Sequence, residues 1–160
     1  MKRLFLFILL PLLPLITTGC AASHYLKGMQ PNGEKAYIGS VPIDNDEAFQ
    51  TYLKTSRSEV DKVNYLFKRV TSAKDLTYYH DDNTYTWLEA YRGGMWLLRN
   101  RYKGGMDART FIRDHVWFSE TSGKPHLVEF PDRTIQIGYY VLMNELELLE
   151  QTAAKYPPQA

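Results

Sequence analysis

The chain has one cysteine, Cys20, placed directly behind an apolar N-terminal run. That placement constrains the fold more than any other feature. One cysteine makes no intrachain disulfide, so the folded part must stand on a packed core. Met1-Lys2-Arg3 is a short basic start. Leu4 to Ile16 follows, apolar apart from Pro11 and Pro14, and then Thr17-Thr18-Gly19-Cys20. Basic, apolar, then small is the layout of an export signal. The apolar run is shorter than the roughly 20 residues a membrane-spanning helix needs, which argues against a retained span. The 160 residues suit one domain. With 44% apolar and 14% aromatic residues, a wholly disordered chain is excluded. The 19 basic and 18 acidic side chains give +1, but Lys2 and Arg3 leave with the signal, and 17 against 18 remain. Such a balance does not suit a nucleic-acid partner.

Thr18-Gly19-Cys20 resembles a bacterial lipoprotein signal, with Thr17 where leucine is usual and Ile16 one place early. The resemblance implies cleavage after Gly19, lipidation of the Cys20 thiol, and usually acylation of the new amino group. Ala21, not Asp, follows the cysteine; by the enterobacterial sorting rule this implies an outer-membrane lipoprotein facing the periplasm. Several acyl chains together hold a protein firmly on a membrane. Lipidation also removes a free thiol from an oxidising compartment. The alternative is ordinary secretory cleavage after Ala22, leaving a soluble protein.

Residues 20–42 read as a lipidated cysteine and flexible tether, because Gly28, Pro31-Asn32-Gly33, Gly39-Ser40 and Pro42 are turn formers. The alternative is that Ala36 to Val41 pairs as an edge strand. Residues 43–156 read as the globular domain. Asp44 caps a short helix carrying Phe49, Tyr52 and Leu53. Ser56 and Glu59 form a capping-box pattern before Val60, Val63, Leu66 or Phe67, and Val70, with Lys62, Lys68 and Arg69 mostly on the other side. Leu76 to His80 is a short extended or irregular piece. Asp81-Asp82-Asn83 offer caps for a helix striped by Trp87, Tyr91, Met95, Leu98 and Tyr102. Gly93-Gly94 inside it marks close packing or a kink. Asp107 caps a helix from Ala108 to about Phe118, with Phe111 and Ile112 inward. Leu127 to Ile137 reads as a β-hairpin. A last helix from Gly138 carries Leu142, Leu146, Leu149 and Ala153. The expected fold is mainly α: a compact bundle of about four helices with a small hairpin before the last one.

The region from Glu59 to Leu149 resembles the YfeK-like proteins, small exported bacterial proteins built around a domain of unknown function. The matching pieces are Tyr78-Tyr79, Arg101-Tyr102, Ala108 with Phe111-Ile112, the Ser122-Gly123-Lys124-Pro125 turn, and Glu145-Leu146. This chain departs at His80-Asp81-Asp82, at His126 after the turn, and at Leu97, where the family carries a helical histidine. The resemblance implies a mainly helical periplasmic domain and brings no activity with it.

His80, Asp81, Asp82 and His126 form a candidate polar site, with His115 and Glu120 as possible additions. No pair has the helical spacing of a metal motif, and Asp81 and Asp82 also read as plain helix caps. Ser119 and Ser122 lack a nucleophile elbow. Ser122-Gly123-Lys124-Pro125 reads as a tight structural turn with Gly123 at positive φ. Arg92, Arg99, Arg101 and Lys103 put positive charge along one helix, either toward an anionic envelope component or as a solvated face paired with Glu89 and Asp107. The tyrosines at 78, 79, 85, 91, 139 and 140 suit either an interface or the rim of a core. No catalytic residue, metal or cofactor is assigned. The functional expectation is a membrane-anchored envelope protein that binds or assembles an envelope protein or peptidoglycan. The alternative is a small envelope hydrolase or metal-dependent enzyme.

Overall fold

A computed structural model describes residues 25–157. Met1 to His24, with the signal and Cys20, lie outside the described residues, as do residues 158–160. No described helix is long and apolar enough to cross a membrane.

The elements run β1 (Tyr25–Leu26), α1 (Glu47–Tyr52), α2 (Glu59–Arg69), β2 (Thr77–His80), β3 (Asn83–Tyr85), α3 (Trp87–Arg101), α4 (Ala108–Val116), β4 (Leu127–Glu129), β5 (Ile135–Ile137) and α5 (Gly138–Ala153). The core forms where the apolar stripes of the helices meet. Leu142, Leu146, Leu149 and Ala153 of α5 are buried, as are Val63, Leu66 and Phe67 of α2 and Phe111 and Ile112 of α4. Each stripe recurs at helical spacing, so burying it fixes which way the helix faces. Asp107 caps α4 through the amide of Thr110.

The expected helical bundle is corrected to a mixed α/β fold. The β4–β5 hairpin is the middle of a five-stranded sheet of order β1-β5-β4-β2-β3, antiparallel except where β1 runs parallel to β5. Tyr78 pairs with both Tyr85 and Val128, and Val128 pairs with Gln136. Val128 and Gln136 are buried on one face of the sheet. The acidic run expected to cap a helix instead makes the β2–β3 turn, with Asp81 at φ 49° and Asp82 at φ 65°. Two-residue hairpin loops need positive φ, which Asp tolerates. Thr86 caps α3, with Glu89 returning to its amide. The caps of α1 and α2 each lie two residues beyond the expected ones: Asp46 accepts from Ala48, and Ser58 pairs with Asp61.

The segment read as a tether is packed in part. Gly28, Ala36 and Ile38 are buried, as is Ile43 just after it, while residues 31–35 and 40–42 are exposed. Irregular backbone can be buried only if its polar groups find partners, and three side chains from β5 and α5 supply them. Gln136 accepts from Gly28 N at 3.0 Å and donates to Met29 O at 2.9 Å. Asn144 donates to Gly28 O and Ala36 O at 2.7 and 3.0 Å. Glu145 Oε1 accepts from Ile38 N at 2.7 Å and Gly39 N at 3.2 Å. Arg69, expected on the solvent side of α2, is 1% exposed and bonds Glu145 at 3.2 Å and Asp46 at 2.7 Å. Its Nη2 also donates to Ser40 O at 3.0 Å.

Candidate functional site

The sheet brings the predicted polar residues together. Tyr79 pairs with Leu127, so the strands place His80 and His126 next to one another beyond that pair. His80 Nδ1 lies 2.8 Å from His126 Nε2, and His80 Nε2 lies 3.4 Å from Asp81 Oδ2. Ser119 Oγ donates to Asp81 at 2.8 Å, and Ser122 Oγ also donates to Asp81. Lys124 pairs with Asp82. The Ser-Gly-Lys-Pro turn is therefore bonded to the Asp-Asp turn, and the two close one end of the sheet.

Hydrogen bonds from Ser122 and then Ser119 hold the Asp81 carboxyl below the ordinary carboxylate range. Burial, and then the facing His80 ring, push the His126 imidazole below its usual value; Asp81 and the Val116 backbone pull the other way. The chemistry open to this cluster is limited by its geometry. His80 turns one ring nitrogen to His126 and the other to Asp81, and one metal ion cannot take both nitrogens of an imidazole. Among the described residues no three His, Cys, Asp or Glu side chains converge as a metal site. Both serine hydroxyls donate to the Asp81 carboxylate rather than to a histidine, and those bonds lower its affinity for a proton, which makes it a weak base toward them. The cluster ties loops together.

In that tie, Gly123 sits at φ +68° with nothing within 4 Å of where a Cβ would stand. Gly123→Ala therefore meets backbone strain and no clash, and should lower stability by about 1 kcal/mol in urea unfolding. Gly123→Asn should lower it less, because Asn tolerates the left-handed region. An unchanged alanine variant would show that the turn relaxes freely.

The feature missed in the sequence is a cavity of about 440 Å³ beside the histidines. Its deeper walls include Phe67, Val70, Val128, Val141 and Leu142, and His80, His115 and His126 line one side. Glu89, Ala90, Gly93, Gly94, Trp96, Leu97 and Arg101 of α3 line another. These α3 positions fall on one helical face, centred on Gly93. Trp96 is 55% exposed and Phe118 46% exposed, and both belong to the cavity lining. Arg101 is paired with Glu120 at 2.9 Å, not with the expected Glu89 or Asp107. His115 lies in the last turn of α4, with its Nδ1 3.9 Å from Glu120. Of the tyrosines, Tyr78, Tyr79 and Tyr85 line the cavity. Tyr139 stacks on Trp117 at 4.4 Å, and Tyr140 meets it edge-on. The readable signal was the run of small residues Ala90, Gly93 and Gly94 on a helix otherwise lined with large ones.

Two residues that line this cavity each carry a buried polar atom without a partner, the Tyr78 hydroxyl and His115 Nδ1. An unsatisfied buried group costs about 1–3 kcal/mol, so each is an exception that asks for a reason. Comparison with family models, with curated proteins and with solved structures gives no match.

Proposed function

We propose that this chain is a lipid-anchored protein of the cell envelope, held through Cys20 at the outer membrane and facing the periplasm, that binds a small ligand without transforming it. The observation that carries the binding half is the cavity beneath α3. Its volume of about 440 Å³ falls in the range of small-molecule sites, roughly 300–1,000 Å³, and such sites combine apolar walls with a few polar groups. The export pattern of Met1 to Cys20 supports the anchor.

Each half has its own test. Cys20→Ser should abolish lipid labelling and move the protein from the membrane to the soluble fraction; a variant that stays membrane-bound refutes the anchor. For the cavity, the neutral fluorescent dye Nile red should brighten on addition of the protein. Gly93→Leu should suppress that signal without lowering the melting temperature, because a side chain there enters open space and leucine is a better helix former than glycine. Equal dye signals from both proteins would refute the cavity as a binding site.

A further inference from the structure

α3 carries its charge differently from the rest of the chain. From Ala90 to Met106 the sequence holds Arg92, Arg99, Arg101 and Lys103 and no acidic residue, although the whole chain has 19 basic and 18 acidic side chains. Glu89, the one acid of α3, spends its carboxylate on the Thr86 cap. Arg101 holds Glu120, while Arg92, Arg99 and Lys103 make no ion pair among the described residues. A solvated helix face ordinarily carries both signs. The apolar side chains of α3 are exceptional too. Of its 15 residues only Gly94 is buried, whereas α5, with 16, buries seven. The cavity accounts for the inner side. It does not account for the outer side, where Tyr91, Arg92, Met95, Trp96, Arg99 and Asn100 line an open groove. Arg92 and Arg99 stand two helical turns apart on one face, and Trp96, 55% exposed, stands beside them. Trp96 also lines the cavity, so this face borders it.

Cations interleaved with an exposed indole on one helical face suit an anionic lipid surface. The guanidinium groups meet headgroup phosphates, and the indole and the arginine stems lie against the apolar layer beneath. An acidic protein would match the charges too. Lipid is favoured by the anchor proposed above, on which this inference rests. Cys20 precedes Tyr25, the first described residue, by five positions, at most about 18 Å of extended chain. Tyr25 is already paired into the sheet. An anchored domain is therefore held against the membrane, not on a long tether.

We propose that the outer face of α3 docks on an anionic phospholipid surface, with Arg92 and Arg99 on lipid phosphates and Trp96 at headgroup level. The contact orients the anchored domain with α3 toward the membrane. It is reversible and screened by salt, so a salt wash removes it and leaves the anchor as the firm attachment.

The test is flotation of the full Cys20→Ser chain with vesicles of phosphatidylcholine alone or mixed with phosphatidylglycerol. The leader is common to every variant, so differences between variants read the face. The Cys20→Ser chain should prefer the anionic vesicles, and raised salt should remove the preference. Adding Arg92→Gln and Arg99→Gln should weaken binding to them about twentyfold, from about fivefold for each charge near such a surface. Adding Trp96→Ala should weaken it severalfold with the salt dependence unchanged. Lys54→Gln with Lys155→Gln removes the same charge from two exposed lysines outside α3 and should weaken binding far less. All five positions are exposed, so melting temperatures should stay at the parental value. Equal binding to both vesicles, or equal losses from the two double variants, overturns the docking face. Binding to immobilised polyglutamate that needs Arg92 and Arg99, without preference between the vesicles, gives the face to an acidic protein and overturns the membrane reading. The anchor is read separately, by lipid labelling at Cys20, so either can fail while the other stands.

Discussion

Glu145→Ala should destabilise the protein by about 3–5 kcal/mol, the usual result of removing one partner from a buried ion pair. Glu145 is 0% exposed and its guanidinium partner Arg69 is 1% exposed, so neither charge can turn to water. Burial pushes the Glu145 carboxyl up; the Arg69 charge and hydrogen bonds, then the amides of Gly39 and Ile38, pull it back. Alanine deletes all of these at once. Arg69 keeps Asp46 at 2.7 Å and the Ser40 carbonyl at 3.0 Å, which is why the effect should not exceed this range. The Ile38 and Gly39 amides lose their acceptor, and each orphaned amide adds to the loss. For a domain of this size the melting temperature should fall by roughly 10–20 °C. Glu145→Gln keeps an acceptor for the amides and should cost less than alanine. The double variant Arg69→Met, Glu145→Leu should cost much less than the sum of the single ones, because no charge is left stranded. A Glu145→Ala loss below about 1 kcal/mol would mean that the Arg69–Glu145 pair does not hold residues 36–46 down. The cavity is exposed to the same change, since Ile38 lines it.

The helices were legible because their information is local. The stripe of α5 repeats every three or four residues, and the Asp107 cap lies beside the helix it starts. The sheet was not legible, for a physical reason. β2 is Thr-Tyr-Tyr-His and β3 is Asn-Thr-Tyr, with no apolar alternation to mark a strand. What makes β2 a strand is its pairing with β4, typified by Tyr79 bonding Glu129 across 50 positions, and β3 is a strand because it pairs with β2. Asp81 and Asp82 look alike as helix cap and as hairpin turn, and only the strand after them decides. Arg69 falls on the polar side of a helical wheel, but its partners lie 23 positions back at Asp46 and 76 on at Glu145. Over residues 28–39 the tether reading is corrected for the same reason: the side chains that satisfy them come from residues 136–145. In the site, the sequence named His80, Asp81, Asp82 and His126, and register brought them together. It could not show that His80 faces His126 with one ring nitrogen and Asp81 with the other. The cavity was invisible because it is defined by what α3 leaves unfilled.

The two adjacent glycines of α3 should respond to alanine with opposite signs. In a plain helix either substitution would stabilise, since glycine costs about 0.5–1 kcal/mol relative to alanine. At Gly94 a Cβ would stand 2.4, 2.7 and 2.9 Å from three atoms of the Phe67 ring. That ring is itself buried and meets Phe111 edge-on at 6.3 Å, so it has little freedom to withdraw. Overpacking of this kind costs about 1–3 kcal/mol, and Gly94→Ala should be net destabilising in urea unfolding. At Gly93 nothing lies within 4 Å of the new atom, and Gly93→Ala should gain about 0.5–1 kcal/mol. The contrast separates two explanations of the pair. A kink that needs a flexible backbone would lose stability at both positions, whereas close packing at one and open space at the other gives opposite signs. Phe67 also lines the cavity, so a ring pushed aside by Gly94→Ala moves either into the Phe111 contact or into the cavity. If it takes the second route, the variant will show reduced Nile red uptake along with its lower stability. Uptake that stays at the parental level would place the displaced ring against Phe111 instead.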